Sequence, residues 1–332
     1  MRRVVVTGGA GFIGSWLVRR LLSDYPDYQV VVLDALTYAG RRENLAAIES
    51  QIEFVHGDVR DRDCVRKTLA GATDLLHLAA ETHVDRSIVN PDNFVTTDVY
   101  GTYVLLEASR EIERFVYVST DEVYGSIEEG EFTEESPLRP NSPYAASKAS
   151  ADLMCRAFFV TYDLPAIVTR GSNTFGPRQY PEKVLPLFVS NAIEGKPLPL
   201  YGDGRQRRDW LYVDDHCSGI LTAWQKGKPG EAYNIGGGNE RENIEIARRL
   251  LTVLGKPESL IKSVADRPGH DRRYALNSDK LKALGWAPKA DFESAFEETV
   301  RWYAENRDWW KAIKERQPEF KQFADAWYKD RA

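Results

Sequence analysis

Tyr144 and Lys148 stand four residues apart, directly after Ser142-Pro143. Serine as N-cap and proline at the first helical position make that pair a good helix start. One helical turn then sets the phenol and the ammonium on the same face. A free tyrosine, with a pKa of about 10, is no base at neutral pH. A neighbouring ammonium, helped by the positive charge of an oxidised nicotinamide, would lower that value. Such a phenolate can take the proton of a hydroxyl while a hydride leaves the same carbon. Read alone, the pair also fits a common surface Tyr–Lys contact. A second constellation is Ser119-Thr120-Asp121-Glu122-Val123-Tyr124-Gly125, at the end of the strand candidate Phe115–Thr120. Two adjacent carboxyls and a hydroxyl can divide acid and base work if their surroundings push the two pKa values apart. A polar turn after a strand is the plainer alternative.

Thr7-Gly8-Gly9-Ala10-Gly11-Phe12-Ile13-Gly14 follows the β-branched run Val4-Val5-Val6 and opens a helical pattern. Glycines at 8, 11 and 14 permit a tight turn, close approach to a pyrophosphate and close helix–strand packing, with the helix N-terminus facing the phosphates. Asp34, 20 residues beyond Gly14, ends the next apolar run, Val30–Leu33. A carboxylate there binds both ribose hydroxyls of an adenosine and repels a 2′-phosphate, which favours NAD over NADP. A fourth set is basic: Lys183, Arg207-Arg208-Asp209-Trp210 and Arg267-Pro268-Gly269-His270-Asp271-Arg272-Arg273. Arginines there suit a diphosphate, though each singly also reads as solvated surface charge. No metal-ligand spacing surrounds His270, and no metal is expected.

The elements that must position these groups alternate. Val4–Val6, Val30–Leu33, Ile52–His56, Asp74–Ala80 and Phe115–Thr120 read as strands, and Phe12–Tyr25 as an amphipathic helix through Leu17/Leu21 and Val18/Leu22. Non-alternating apolar strands separated by helical patterns imply a parallel sheet covered on both faces. The expected class is α/β: a Rossmann-like doubly wound parallel sheet with a second, smaller α/β substrate domain. The expected division is residues 1–170, with about 205–236, for the sheet, and 171–204 with about 237–332 for the smaller part. Prolines 177, 181, 186, 197 and 199 make the stretch 171–204 read as loop-rich, whereas Ile244–Leu254 and Phe292–Tyr303 read as amphipathic helices. Trp302, Trp309, Trp310, Phe320, Phe323 and Trp327 are expected to pack, and the acidic stretch 128–135 to be a solvated loop.

With 42% hydrophobic and 28% charged residues among 332, the composition is that of a globular chain. A net charge of −6 argues against nucleic acid or an anionic membrane as main partner. No apolar run approaches the roughly 20 residues of a membrane span. Cys64, Cys155 and Cys217 support neither a disulfide framework nor a zinc site; they read as small buried hydrophobes in a reducing, cytoplasmic setting.

Together these segments resemble the extended short-chain dehydrogenase/reductase family, and within it the 4,6-dehydratases that act on dTDP-glucose. The likeness runs through Thr7–Gly14, Ala79–Ser87, Ser119–Gly125, Tyr144–Lys148, Pro181–Lys183, Tyr201–Gly204, Arg208–Val213 and Arg267–Tyr274. The glycine turn and the Tyr/Lys pair mark only the superfamily. The triplet Thr120-Asp121-Glu122 marks the dehydratases, since related epimerases carry small residues there, and related decarboxylases and GDP-mannose dehydratases keep the glutamate without the aspartate.

The resemblance implies that Tyr144, aided by Lys148 and Thr120, removes the proton of the glucosyl 4-hydroxyl as hydride passes from C4 to NAD. Glu122 then takes the C5 proton, protonated Asp121 protonates the departing 6-hydroxyl, and hydride returns to C6. It further implies that Gly8, Gly11, Phe12, Ile13, Gly14, Asp34, Ala79 and Ala80 hold NAD with Tyr144 and Lys148, and that Asp58 and Val59 lie by the adenine. Ser87, Asn173, Lys183, Tyr201, Arg208, Asn243, Arg267 and His270 would hold the nucleotide sugar. The segment Arg170–Gly176 has Gly171 where bacterial relatives usually have cysteine, and Thr174-Phe175 where they have Asn-Tyr, which bears on pocket shape rather than on the reaction. A homodimer pairing helices that include Tyr144–Lys148 is the family expectation. Alternatives are a dehydratase of UDP- or CDP-glucose, a 4-epimerase, and an idle NAD-binding protein. The choice of base rests on resemblance alone.

Overall fold

Three consecutive valines cannot all face one side of a strand, and here they do not need to. In the computed structural model, which describes residues 1–316 together with Phe320 and Trp327, Val4 and Val6 enter one apolar core and Val5 another. Both faces of the sheet are covered, so period-two side chains are apolar throughout. Each such valine contributes about 1.5–3 kcal/mol of burial.

The sheet has seven strands: β1 (Arg3–Thr7), β2 (Gln29–Asp34), β3 (Glu53–His56), β4 (Asp74–His77), β5 (Arg114–Thr120), β6 (Ala166–Gly171) and, after an excursion that includes three short strands, β10 (Ala232–Ile235). Their order is β10-β6-β5-β4-β1-β2-β3, and every pairing is parallel. Helices Phe12–Asp24 and Val213–Lys226 cover one face through Leu17, Leu21, Ile220 and Trp224. Helices Arg62–Leu69, Thr102–Ala108 and Pro143–Tyr162 cover the other through Val65, Leu105, Cys155 and Phe158. This is the doubly wound α/β arrangement read from the sequence.

The excursion and the chain beyond it build smaller sheets. β7 (Asn173–Phe175) and β11 (Glu240–Glu242) flank β9 (Arg207–Tyr212), and β8 (Leu198–Tyr201) pairs with β12 (Ile261–Val264). A further core of Phe188, Leu250, Phe296 and Trp310 packs helices Val184–Glu194, Asn243–Leu254 and Phe292–Glu305 together.

Several expectations are corrected. β4 stops at His77 instead of Ala80 because the Ala79 N–H turns to the Thr7 hydroxyl at 3.2 Å and leaves the ladder. The stretch 171–204 is less loop-like than its prolines suggest. Pro186 sits in the first turn of the Val184–Glu194 helix, where its missing N–H would have had no intrahelical acceptor. Cys155 and Cys217 are buried, but Cys64 is only half-buried. In the acidic stretch Glu134 is held: its Oε1 accepts from Asn234 N–H at 2.8 Å. Trp310, Phe320 and Trp327 are buried and Trp302 and Trp309 partly so; Phe323 lies outside the described residues.

Candidate active site

The chain leaves β1 in one direction and β4 in the other, so a crevice opens at the carboxyl ends of these neighbours. The glycine turn forms its floor. Gly8 has φ +69°, and a Cβ at Gly14 would lie 2.1 Å from the Gly8 carbonyl oxygen, so no larger residue fits there. The Phe12–Asp24 helix starts without a side-chain cap. The first intrahelical bond is Ser15 N–H to Gly11 O, leaving the N–H groups of Phe12, Ile13 and Gly14 without intrahelical acceptors. An uncapped helix start beside a glycine turn fits a pyrophosphate.

The cleft of about 300 Å³ is continuous. It is lined by Gly8, Gly11, Phe12, Ile13 and Gly14, then Asp34, Asp58, Val59, Ala79 and Ala80, then Thr120, Asp121, Glu122, Tyr144 and Lys148, and finally Asn173 and Lys183. The sequence motifs thus share one wall-to-wall site. Asp34 is buried at the end of β2, its oxygens accepting the N–H groups of Ala10 and Leu36 at 2.8 Å each. Burial pushes its pKa up, while those two N–H groups pull it back. Each oxygen keeps a lone pair for a ribose hydroxyl.

Ser142 caps the Pro143–Tyr162 helix as expected, its Oγ accepting from Ala145 N–H at 3.1 Å. Tyr144 and Lys148 therefore rise from its first turns. Lys148 Nζ donates to the Val118 carbonyl at 2.7 Å and lies 4.3 Å from the Tyr117 ring centre. Burial brings the Lys148 pKa down to about 8, opposed by the field of Asp98. Asp98, 1% exposed, accepts from Glu81 N–H and from the Ser147 hydroxyl. Burial pushes its carboxyl up to about 7. The pair Asp98–Lys148 was not anticipated from sequence, because it joins residues 50 apart on facing helices.

The chain by itself does not lower the Tyr144 phenol. Burial, and then the fields of Glu122, Asp98 and Asp121, hold the phenol well above its ordinary value, and a hydrogen bond with Thr120 opposes them. In the chain alone, burial and the three carboxyls outweigh that hydrogen bond.

β5 ends at Thr120, whose hydroxyl caps the turn Asp121–Tyr124 and lies 3.1 Å from Asp121 Oδ1. Burial, reinforced by the adjacent Glu122, raises the Asp121 pKa well above the carboxylate range. Its Oδ2 has no partner among the described residues. Burial raises Glu122 as well, but Arg267, Lys183 and Arg208 face it and oppose the rise. Both carboxyls are thus pushed up, Asp121 well above its ordinary value and reinforced by Glu122, whereas Glu122 faces cations that hold its rise back.

The basic residues form the far bank. Arg267 bonds buried Asp85 at 2.7 Å, and Tyr201 bonds the other oxygen of Asp85 at 2.7 Å. Arg208 is anchored by the Asp271 carbonyl at 2.8 Å and stacks over Tyr274. His270 bonds Asp266 at 2.6 Å; burial and the neighbouring Arg267 and Arg208 bring it down to about 4, so it is neutral. These residues stand behind Lys183 and Glu122 rather than lining the cleft. Ser87 and Asn243 are not brought to it: Ser87 is fully buried and donates to Val84 O within its own turn, and Asn243 starts a helix against Gln206. The lining residues Gln179, Tyr180 and His216 carried no sequence signal, and Glu81 and Thr82 were marked only as part of the Ala79–Ser87 likeness. Among the described residues no trio of His, Cys, Asp or Glu side chains is placed to hold a metal ion, and no helix is long and apolar enough to cross a membrane.

A glycine turn, a buried aspartate at the end of β2 and a Tyr-x-x-x-Lys pair around one crevice of a doubly wound sheet define an extended short-chain dehydrogenase/reductase. A family model described as GDP-mannose 4,6 dehydratase matches residues 5–299, and the chain belongs to that family. It is 49% identical to a dTDP-glucose 4,6-dehydratase of Streptomyces niveus over 94% of this chain and 96% of that protein. Its structure is similar to that of DesIV, a dTDP-glucose 4,6-dehydratase of Streptomyces venezuelae with NAD and TYD bound, at a TM-score of 0.92 and 51% identity, covering 94% of this chain and all of that one. A UDP-glucose 4-epimerase of Thermus thermophilus, in complex with NAD, is similar at 35% identity and a TM-score of 0.85, over 92% of this chain and 99% of that one.

Proposed function

We propose that the chain is an NAD-dependent hydro-lyase that converts dTDP-glucose to dTDP-4-keto-6-deoxyglucose and water. The observation that carries this reading is the Asp121–Glu122 pair, one buried carboxyl held well above its ordinary value and its neighbour facing the cations Arg267, Lys183 and Arg208, beside Tyr144 and Thr120. An epimerase needs neither carboxyl. NAD, held by the glycine turn, the uncapped helix start and Asp34, supplies a hydride acceptor that gives the hydride back, along with the positive charge that Tyr144 otherwise lacks. Tyr144 takes the proton of the sugar 4-hydroxyl, which Thr120 helps to orient. A ketone at C4 acidifies the C5 proton, and Glu122 removes it. Asp121, kept protonated, gives its proton to the departing 6-hydroxyl. Lys183, Arg208 and Arg267 offset the diphosphate, so a chain of net charge −6 still presents a cationic bank to its substrate.

The test uses dTDP-glucose carrying deuterium at C4. Deuterium is expected at C6 of a 4-keto product. Label retained at C4 of a galactose product favours the epimerase instead, and absence of turnover with dTDP-glucose but not with UDP- or CDP-glucose moves the base assignment.

We further infer that the sheet, residues 1–170 with about 205–236, is the NAD-binding domain, and that 171–204 with about 237–332 is the sugar-nucleotide domain, the protein working in the cytoplasm. A homodimer is supported by exposed Leu153, Val160 and Tyr162 on the Pro143–Tyr162 helix, beside exposed Val95 and Tyr100 on the adjoining Val95–Gly101 turns. Light scattering is expected to give twice the 37.7 kDa chain mass, and Leu153→Glu with Val160→Glu to give the single mass. A single mass for the unaltered chain removes the dimer.

A further inference from the structure

The aromatic residues near the C-terminus are expected to pack, and Phe320 does, against Ile313 and against Tyr180 of the cleft lining. Trp327 does more. It is 8% exposed, and its Nε1 lies 2.7 Å from the hydroxyl of Tyr201, the last residue of β8. That hydroxyl lies 2.7 Å from Asp85 Oδ2, and Arg267 Nη1 holds Asp85 Oδ1 at the same distance. Chemistry fixes the direction of each of these bonds. An indole N–H and a guanidinium can only donate. Burial raises the Asp85 carboxyl, but the fields of His83 and Arg267 and the hydrogen bonds from Arg267 and Tyr201 outweigh it and keep it ionised. A carboxylate can only accept. Tyr201 therefore accepts from Trp327 and gives its one proton to Asp85.

These bonds end in the cationic bank. Arg267 uses Nη1 on Asp85, and its Nε has no partner among the described residues. Burial raises Glu122, and Arg267 is first among the cations that oppose that rise. Asp85 is 2% exposed, so its two oxygens depend on the two donors that reach them. A hydroxyl that accepts one hydrogen bond donates the next more strongly. Held from both sides, the Tyr201 phenol keeps one orientation, the Asp85 carboxylate keeps its own, and the guanidinium it grips stays facing Glu122. Four stretches far apart in the chain are thereby joined: Trp327, β8, the Val84–Val89 helix and the segment around Arg267.

We propose that Trp327 is a positioning residue of the sugar-nucleotide site: its indole N–H pins the Tyr201 hydroxyl to Asp85 and so holds Arg267 for a diphosphate. The proposal rests on the sugar-nucleotide reading above. Its test is the affinity of the whole chain, loaded with NAD, for dTDP, measured by calorimetry. Trp327→Phe keeps an aromatic ring and removes the donor. It is expected to weaken dTDP binding by about 3–10-fold, the size of one neutral hydrogen bond. In Tyr201→Phe, which lacks the acceptor, adding Trp327→Phe is expected to change nothing further. A packing role alone would lower the melting temperature and leave the dTDP affinity in place. Affinity of Trp327→Phe within about 2-fold of the unaltered chain overturns the proposal, as does a second full loss in the Tyr201→Phe background. Should Trp327→Phe fail to fold, the indole N–H of the unaltered chain decides. Coupling between two sites is reciprocal, so dTDP is expected to slow hydrogen exchange of that N–H by about the same 3–10-fold. An exchange rate that dTDP leaves unchanged overturns the proposal. If the unaltered chain binds no dTDP, the sugar-nucleotide reading falls and takes the proposal with it.

Discussion

Glu122→Gln is expected to lower turnover of dTDP-glucose by about 10²–10⁴-fold, the usual loss when a positioned general base is removed. Binding of NAD is expected to be unchanged, because the glycine turn, the uncapped helix start and Asp34 are left intact. Asp121→Asn is expected to show a similar loss, since an amide cannot protonate a leaving hydroxyl, together with a gain in stability. The Asp121 carboxyl binds its proton more tightly in the folded state than in the unfolded one. Its stabilising contribution is therefore fully present below the unfolded pKa of about 3.9 and is lost as pH rises through the folded value. Asparagine carries no such loss. The melting temperature of Asp121→Asn should rise relative to the unaltered chain between about pH 5 and about pH 8. Assays of product formation and melting curves at both pH values check this. Turnover within about 3-fold in both variants would remove the assigned acid and base roles.

Arg170→Met is expected to cost about 3–5 kcal/mol, because it strands a buried carboxylate. Arg170 grips Asp152 with two bonds, Nε to Oδ2 at 2.8 Å and Nη2 to Oδ1 at 3.0 Å, and both side chains are nearly inaccessible. Nη1 also donates to the Tyr124 hydroxyl at 2.7 Å, and Tyr124 donates onward to Asn234 at 2.8 Å. One guanidinium thus joins the Pro143–Tyr162 helix, the turn after Glu122, β6 and β10. Arg170→Met with Asp152→Leu should recover much of the loss, as apolar replacements of buried pairs do. Urea unfolding of the single and double variants measures both quantities. A single variant within about 1 kcal/mol of the unaltered chain would mean that Asp152 finds water or another donor.

The parts of the molecule legible in the sequence are those governed by local pattern. Val4–Val6 and Val30–Leu33 gave strands because both faces of the sheet are covered, and Ser142-Pro143 gave a helix start because capping is decided by three or four residues. The Asp121–Glu122 contrast was legible as residue types, while its direction comes from Arg267, Lys183 and Arg208, far away in the chain. What was not legible is set by distant contacts. Tyr144 was expected to be lowered by Lys148 together with an oxidised nicotinamide; in the chain alone, burial and the carboxyls of Glu122, Asp98 and Asp121 raise the phenol. His216 lies 45 residues beyond Gly171, and nothing in either segment announces that they touch. Ser87 belongs to a motif that resembles its relatives, yet its hydroxyl is satisfied within its own turn.

The late arrival of β10 shapes how the chain is made. β6 ends at Gly171, but the strand that covers its outer edge does not begin until Ala232, roughly 60 residues later. At roughly 5–20 residues per second of synthesis, that edge stays bare for several seconds. An unpaired apolar edge is a template for pairing with another chain. Arg170 can already hold Asp152 in that interval, since the Pro143–Tyr162 helix precedes it, whereas Tyr124 must wait for Asn234. A nascent chain stopped between residues 171 and 231 therefore carries a nearly finished sheet with one open side, and a stall in that window is the moment of greatest exposure to aggregation.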